Sequence, residues 1–373
     1  PRLCFTTAEF SPYGVSKPGV PILFDDEMQL IEPACEWLLS VALVEGRTRS
    51  PETWRTYGEA LFDWFQTLEA NAWDWTRIMP EQVAGYRDKM TQFPSHLTKR
   101  PCSVRTANLR LGTLRRFYRW ASHAKNVTSP FFGSLNHARH RDKTADMLAH
   151  TRSREVARAT QLTLREARRV PRAIDQRSLR AILLGLPVRD RLVAEWSLET
   201  GMRRMEIAAL EVGLCPSTAM SSEHPTMPLT LTRTKGGKAR RVYVPTPLIN
   251  RTVAYIREER VYVAKRTGST SNALFLTNRG SALSKESITA SFARACEQAS
   301  IEAHFHELRH TFAVMMLRAL QRQTAAHPQM NPLQLLKVLM GHASVRTTEV
   351  YLEVLLDELM AVEDAIAAEV AFA

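Results

Sequence analysis

The second half of the chain holds several side chains suited to phosphate chemistry. His306 and Arg309 stand three residues apart in His306-Glu-Leu-Arg309-His310-Thr-Phe-Ala, which continues into the apolar stretch Val314 to Leu320. This pattern predicts a helix on which both residues share one face, about a turn apart. An imidazole beside a permanently charged guanidinium can hold a phosphate and move a proton near it. Taken alone, the same pattern also fits an ordinary solvated helix face.

Two more motifs from the same half carry candidate groups. Thr200-Gly-Met-Arg203-Arg204-Met-Glu206 offers two arginines and a carboxylate, and Arg204 competes with Arg203 as the phosphate ligand. Gly341-His342 ends a helical pattern, and Tyr351 follows nine residues later. A phenol ordinarily titrates near ~10, so such a tyrosine needs local positive charge or a base to attack at neutral pH.

A third motif is a predicted β-hairpin. Residues 229–244 alternate in polarity on both sides of a Gly-Gly pair, which is a strong hairpin signal. Lys235 directly precedes the glycines and Lys238 directly follows them. Either lysine can reach a phosphate from the hairpin tip.

The elements that must position these motifs are mostly helical. Helical patterns surround the motifs, with a short strand at Ala273 to Leu276 and an amphipathic C-terminal run from Val345 to Ala373. The helical patterns of this half lie at Asp175 to Leu184, Val188 to Glu199, Thr246 to Lys265, Ser284 to Ser300 and Pro332 to Met340.

The first half predicts a helical domain with a basic face. Four helical patterns begin at Glu27, Ser50, Pro80 and Ser103, and a Pro-, Gly-, Ser- and Thr-rich segment, Pro1 to Phe24, predicts an extended arm before them. The fourth pattern, Ser103 to His123, carries the candidate DNA contacts Arg105, Arg110, Arg115, Arg116 and Arg119. A basic linker adds Arg139, Arg141 and Lys143, and the hairpin adds Lys238 and Arg240.

Composition points to a polyanionic partner. Lys and Arg outnumber Asp and Glu by 50 to 38, which gives a net charge of +12 and a pI near 9.8. This charge is clustered, so nucleic acid is the favoured partner. The five cysteines are odd in number and form no C-x-x-C pair, which argues against a disulfide framework or a zinc module. With neither a membrane span nor a signal-peptide pattern, the sequence predicts a cytoplasmic protein.

The motifs occur in the order and at the spacings of a known family. Thr200-Gly-x-Arg203-x-x-Glu206, the hairpin Lys235, His306-x-x-Arg309, Leu339-Met-Gly341-His342 and Tyr351 together resemble the tyrosine recombinase, or phage integrase, family. The resemblance covers roughly residues 28 to 360 and includes a helical core-binding domain. It departs from the family at 321–331, a longer connection than usual, and at 211–228, which is rich in Ser and Pro.

The resemblance implies a role for each motif residue. Tyr351 is the implied nucleophile, forming a 3′-phosphotyrosyl bond with DNA without ATP or metal. Arg203 and Arg309 are the implied phosphate ligands, with Glu206 as supporting partner. Lys235 is the implied general acid, His306 a proton shuttle, and His342 a further phosphate donor. His304, His306 and His310 are not expected to bind metal, because no Cys or carboxylate has matching spacing, and His310 fits the family as a packed core residue.

The predicted fold is mainly α with a small antiparallel β-sheet, an α+β arrangement of two DNA-gripping domains. Its predicted parts are an N-terminal arm (1–27), a helical, SAM-like core-binding domain (28–132), a basic linker (133–172) and a catalytic domain with a C-terminal helix (173–373).

The predicted function is that of an enzyme, a site-specific DNA recombinase of the integrase, transposase or resolvase type, with no cofactor. The implied partners are double-stranded DNA carrying specific sites and three further copies in a homo-tetramer on two sites. The sequence leaves open whether accessory DNA-bending or directionality proteins take part. The C-terminal stripe (Leu355, Leu356, Leu359, Met360, Val362, Ile366) fits a helix that completes its own domain, and our hypothesis is that the helix docks on a neighbouring protomer. The alternatives are a type IB topoisomerase and a non-catalytic DNA-binding relative of the family.

Overall fold

A computed structural model provides the coordinates of the chain. It describes residues 1–45, 50–94, 99–131, 162–166, 171–221, 223–232, 234, 239–324, 326–342, 344–352, 354 and 355. The chain divides into two compact units, Pro1–Arg168 and Arg169–Ala373. The predicted mainly helical fold with small antiparallel sheets is confirmed. Among the described residues, no helix is both long and apolar enough to cross a lipid bilayer.

The N-terminal unit packs helices against a small sheet. Strands β1 (Arg2–Phe5) and β2 (Pro21–Phe24) pair antiparallel with Leu3 opposite Leu23. The segment predicted as an extended arm therefore contains two paired strands. Val20 and Leu23 from this segment are fully buried in the core of the unit. Four helices follow: α1 (Glu32–Leu43), α2 (Pro51–Ala70), α3 (Pro80–Gln92) and α4 (Val104–Ala124).

An aromatic cluster forms the centre of this core. Trp37, Trp64, Phe117 and Tyr118 are each at most 1% exposed, and their rings meet edge to face. Aromatic side chains of α1, α2 and α4 therefore form this core. Residues 162–166 also belong to this unit, since the Asn108 side chain exchanges two 2.9 Å hydrogen bonds with the Leu164 backbone.

The C-terminal unit is built on helices around the predicted hairpin. Strands β3 (Thr226–Leu231) and β4 (Arg240–Pro245) pair antiparallel with Leu229 opposite Val242. Residues 211–225, ahead of β3, hold the short 3-10 turn Val212–Leu214. A short bridge joins Glu211 to Ala273, where a strand is predicted. The helices are α5 (Gln176–Gly185), α6 (Val188–Thr200), α7 (Arg204–Ala208), α8 (Thr246–Tyr255), α9 (Val261–Thr267), α10 (Lys285–Gln298), α11 (Phe305–Gln323) and α12 (Pro332–Met340), with residues 346–352 forming α13.

Local signals explain where several of these helices begin. Asp175, Ser284 and Asn331 cap α5, α10 and α12, each accepting a hydrogen bond from a backbone N–H three residues on. Gly201 and Gly341 end α6 and α12 in the left-handed conformation, with φ of 65° and 61°. Gly201 lies two residues before Arg203, and Gly341 directly precedes His342. The ends of α6 and α12 therefore determine the positions of these two candidate site residues.

Candidate active site

The first site residue stands where α7 begins. Arg203 is the N-cap of α7, and the carboxylate of Glu206 accepts a 2.7 Å hydrogen bond from its backbone N–H and a 3.1 Å bond from its guanidinium. The Glu206 side chain is fully buried, while the Arg203 side chain remains 22% exposed. Glu206 thus holds Arg203 at both ends and leaves part of the guanidinium open.

Arg240 is a second arginine on the same carboxylate. It begins β4 and donates to Glu206 at 2.7 Å and to the Leu339 carbonyl at 2.5 Å. Burial opposes an ionised Glu206, but the hydrogen bond and charge of Arg240, followed by those of Arg203, lower its pKa below the ordinary value. Glu206 is therefore an anion shared by two arginines.

Arg309 lies deeper, on α11. It is only 2% exposed, and its guanidinium donates to the backbone carbonyls of Gly201 and Met340, the latter at 2.5 Å. One guanidinium nitrogen also lies 3.4 Å from Nε2 of His342. The ends of α6 and α12 thus clamp the arginine in one orientation.

The turn after α12 brings His342 into the site. A Cβ on Gly341 would lie 2.5 Å from Cδ of Arg240 and would also have to adopt a positive φ, so glycine is required there. Nδ1 of His342 lies 3.0 Å from the hydroxyl of Thr348, which leaves Nε2 towards Arg309. The rings of His342 and Tyr351 are nearly parallel, with centroids 6.4 Å apart.

Tyr351 lies on α13 and is 2% exposed. Its hydroxyl makes a 2.8 Å hydrogen bond with Nδ1 of His310. The His310 ring in turn meets the exposed His306 ring edge to face, with centroids 4.6 Å apart. Burial raises the Tyr351 pKa, and the charges of Arg309 and Arg203 oppose that rise.

The site carries more positive than negative charge. Burial, together with repulsion from Arg203 and Arg240, lowers the Arg309 pKa to about 9, against the attraction of Glu206 and Tyr351. Burial and the charge of Arg309 likewise lower the His342 pKa to about 4. Arg203 and Arg240 share the Glu206 carboxylate, and the charge of Arg309 is added to theirs, so an incoming anion would relieve the repulsion among the three guanidiniums.

Comparison with known proteins identifies the family of this chain. Residues 172–357 match the model of the phage integrase family, and residues 40–125 match its N-terminal SAM-like domain. Together these ranges cover well over half of the 373 residues. The chain belongs to the phage integrase family of tyrosine recombinases.

Relatives within this family include Xer recombinases. Tyrosine recombinase XerD of Mycobacterium tuberculosis H37Rv is 32% identical over 224 residues, which are 57% of this chain and 65% of the relative. XerC of Shewanella sp. ANA-3 is 31% identical over 194 residues, which are 50% of this chain and 57% of the relative. The chain spans less than two thirds of the length of these curated relatives.

Solved tyrosine recombinase structures share the fold. The XerH recombinase bound to palindromic difH substrate, a post-cleavage complex, has a TM-score of 0.57 at 17% identity and covers 93% of this chain and 90% of its own. A lambda integrase dimer bound to a COC′ core site has a TM-score of 0.54 at 16% identity, covering 86% and 76%. At these identities the likeness shows the fold alone.

Most of the predicted catalytic residues lie close together in the structure. The structure brings Arg203, Glu206, Arg309, His342 and Tyr351 into one site, with His306 at its exposed edge, as the contacts above describe. Lys235 lies outside the described residues, so its role stays a prediction. Of the C-terminal stripe, Leu355 is buried in the cluster that contains Tyr351 and Met340, and its later members lie outside the described residues.

The predicted DNA-contacting arginines of α4 differ in what they touch. Arg105 and Arg119 are exposed. Arg110 pairs with Asp63 at 2.7 Å, and Arg116 bonds the Tyr57 hydroxyl. Arg115 lies 3.3 Å from the Thr163 hydroxyl. Arg105 and Arg119 are thus the better placed of the five to meet DNA, and all five assignments stay predictions.

The remaining predicted DNA contacts fall elsewhere. Arg139, Arg141, Lys143 and Lys238 lie outside the described residues. Arg240 is described, and its 8% exposed side chain is engaged by Glu206, which suits it to support the site. The part of the chain that the structure describes holds no group of three or more His, Cys, Asp or Glu residues suited to a metal ion.

The structure gives two residues contacts within the site that the motifs do not predict. His310 was expected as a packed core residue and instead bonds the Tyr351 hydroxyl. The sequence predicts Arg240 as a DNA contact, and the structure shows that its guanidinium bridges Glu206 and the Leu339 carbonyl. Strand alternation could have indicated this, because Arg240 shares the inward face of β4 with Val242 and Val244.

Proposed function

We propose that this protein is a site-specific DNA recombinase that cleaves and rejoins DNA through Tyr351. The single observation that carries the proposal is the cationic pocket around a buried tyrosine, in which Arg309 is 2% exposed and its pKa is lowered by burial and by the positive charges of Arg203 and Arg240. A phosphodiester would supply the missing negative charge. Arg203 and Arg309 would then hold its non-bridging oxygens and stabilise the charge that grows during attack.

The proposed chemistry is a reversible phosphoryl transfer. The Tyr351 oxygen forms a bond to phosphorus as the bond to the 5′-oxygen breaks, and the departing oxygen takes a proton, for which Lys235 is the predicted donor. The phosphotyrosyl bond conserves the energy of the phosphodiester, so the free 5′-hydroxyl of a second strand can reverse the step without ATP. Recombination follows when that hydroxyl comes from another DNA site.

Covalent trapping tests this proposal. Wild-type protein is incubated with nicked duplexes carrying candidate sites from its genetic neighbourhood and resolved on denaturing gels. We expect a DNA-linked band from wild type and from Tyr262→Phe, which removes an exposed hydroxyl on α9, and none from Tyr351→Phe. A band from Tyr351→Phe would identify a different nucleophile. Tight, salt-sensitive binding without any band would favour a non-catalytic DNA-binding protein.

The proposed working assembly is a homo-tetramer on two DNA sites. Recombination exchanges strands between two duplexes, each of which needs two protomers to be cut on both strands. Sizing the trapped complex by analytical ultracentrifugation should therefore give four protomers per two duplexes. Truncation after Asp357 should leave single-site binding intact and reduce this assembly, and an unchanged tetramer would reject a role for the C-terminal segment.

A further inference from the structure

We propose that His310 is a catalytic residue of the strand-cleavage step. Its Nδ1 orients the Tyr351 hydroxyl and accepts its proton during attack, and His306 relays that proton to solvent. This inference rests on the proposed function, and it names the proton acceptor that a buried phenol requires. Neither the motif spacing nor the comparisons assign His310 such a role.

The contact between the two side chains has the geometry of a hydrogen bond to the nucleophile. Nδ1 of His310 lies 2.8 Å from the Tyr351 hydroxyl, and the ring centroids are 5.7 Å apart. With its proton on Nε2, the neutral His310 imidazole accepts at Nδ1 the hydrogen bond that the Tyr351 phenol donates, and this is the tautomer that the proposal requires. With Tyr351 2% exposed, bulk water has little access to that proton, so the nitrogen in contact is the nearest acceptor that the structure shows.

The surroundings keep His310 in the accepting form. Burial, then the neighbouring charges of His306 and Arg309, lower its pKa to about 4, so the imidazole is neutral at pH 7. A group with so low a pKa is a weak base while the site holds no anion. A bound phosphodiester works against this shift, because its negative charge offsets that of Arg309 and favours the imidazolium form of His310.

His306 gives the proton a way out. It precedes His310 by one helical turn on α11, its ring centroid is 4.6 Å away, and its side chain is exposed. His310 therefore lies between a buried hydroxyl and a solvent-facing imidazole. The implied role of His306 as a proton shuttle is retained, with His310 as the intervening group.

The proton and bond changes balance in both directions. In cleavage, the O–H proton of Tyr351 moves to Nδ1 of His310 while the oxygen–phosphorus bond forms and the bond to the 5′-oxygen breaks. In rejoining, the 5′-hydroxyl attacks, the bond to Tyr351 breaks, and His310 returns a proton to the phenolate. No oxidant, reductant or metal is needed.

Histidine NMR tests the contact without DNA. In protein carrying ¹⁵N-labelled histidine, the Nδ1 resonance of His310 should show a hydrogen-bonded acceptor. Tyr351→Phe should shift this resonance to the value of an unbonded nitrogen. The exposed His304 serves as reference and should not move. A His310 resonance that is unaffected by Tyr351→Phe would overturn the contact itself.

Paired substitutions separate orientation from proton acceptance. Asparagine places an amide oxygen near the position of Nδ1, so His310→Asn can accept the hydrogen bond but cannot take the proton. We expect its trapping rate at pH 7 to fall about 10²–10⁴-fold. The deficit should shrink about tenfold per pH unit above pH 7, because attack would then need an already ionised tyrosine. His304→Asn is the matched control and should react as wild type does.

The leaving group gives a second, independent contrast. A duplex with sulfur in place of the bridging 5′-oxygen releases a thiolate that needs no proton. This substrate should rescue Lys235→Ala, whose predicted defect is in leaving-group protonation, and should leave His310→Asn slow. Rescue of His310→Asn would place His310 on the leaving-group side and overturn the proposal.

The outcomes separate this inference from the proposed function. Absence of any wild-type covalent complex would reject the proposed function. If wild type reacts normally and His310→Asn reacts equally fast, only the role of His310 is rejected. The same follows if His310→Asn is slow but its pH profile stays parallel to that of wild type. Unchanged melting temperature and DNA affinity of the variant show that the defect is not one of folding.

Discussion

The two units each contain a partly or fully buried arginine network, and the networks differ in charge balance. In the N-terminal unit, Arg110 meets Asp63 at 2.7 Å, and Asp63 also accepts from the Tyr86 hydroxyl at 2.5 Å. One cation faces one anion. Burial alone would lower the Arg110 pKa, but the charge of Asp63 and the influence of Tyr86 and Cys102 together outweigh it, and the pKa is raised.

In the C-terminal unit, Arg203 and Arg240 pair with Glu206, while the nearby Arg309 donates to the backbone carbonyls of Gly201 and Met340. The Arg309 pKa is lowered, to about 9. The pKa values of Arg110 and Arg309 shift in opposite directions, so the burial of an arginine by itself indicates nothing about function. A matched pair stabilises its unit, whereas an excess of positive charge held in fixed orientation is suited to receive an anion.

The largest expected effect comes from removing the shared carboxylate. Glu206→Gln leaves the guanidiniums of Arg203 and Arg240 without a counter-charge, and loss of one partner from a buried ion pair costs about 3–5 kcal/mol. Urea unfolding should show this loss at pH 7. Glu206→Asp, which keeps the charge, should lose less. Equal stability of Glu206→Gln and wild type would show that the network does not depend on that charge.

The ionisation of Glu206 also determines how the free energy of unfolding depends on pH in the acid range. The pKa of Glu206 is lowered in the fold, so its contribution is complete above the ordinary value near 4.5 and is lost as pH falls below it. Wild-type stability should therefore drop more steeply below pH 4.5 than that of Glu206→Gln. Parallel profiles would contradict the lowered pKa.

A smaller effect is expected at the balanced pair. Arg110→Met removes one partner of a charge pair that is 22% and 31% exposed, so we expect a loss of about 1–3 kcal/mol in the free energy of unfolding. Because Arg110 belongs to a different unit from the cationic site, covalent trapping by folded Arg110→Met should proceed at the wild-type rate per bound complex. A loss of trapping with unchanged stability would show that Arg110 contacts DNA.

Much of the fold could be predicted because its signals are local. Caps such as Ser103 and Ser284, and the alternation around the Gly-Gly pair, mark helix starts and the hairpin within a few residues of where they occur. The pairing of β1 with β2 could not be predicted. It depends on burial of Val20 and Leu23 against helices that come later in the chain, while the segment itself is rich in Pro and Gly.

The candidate site shows the same contrast between features that local sequence patterns predict and features that depend on packing. The family motifs indicate which residues carry the chemistry, and the structure brings the described ones together. What the motifs leave open is contact between residues far apart in sequence, such as His310 with Tyr351 and Arg240 with Leu339. These contacts depend on how α11, α12, α13 and β4 pack, which no local pattern specifies.

The smallest expected effect tests the charge excess directly. Sulfate resembles a phosphodiester in charge and in its oxygens, and at about tenfold above its dissociation constant it would stabilise the folded protein by about 1.4 kcal/mol. We expect it to raise the melting temperature of wild type and of Arg110→Met above that in NaCl of equal ionic strength. Arg309→Met should show no such rise, because it lacks a cation of the anion site. An equal rise in all three proteins would place the bound sulfate elsewhere, and the two arginine networks would then no longer differ in the way their charge balance predicts.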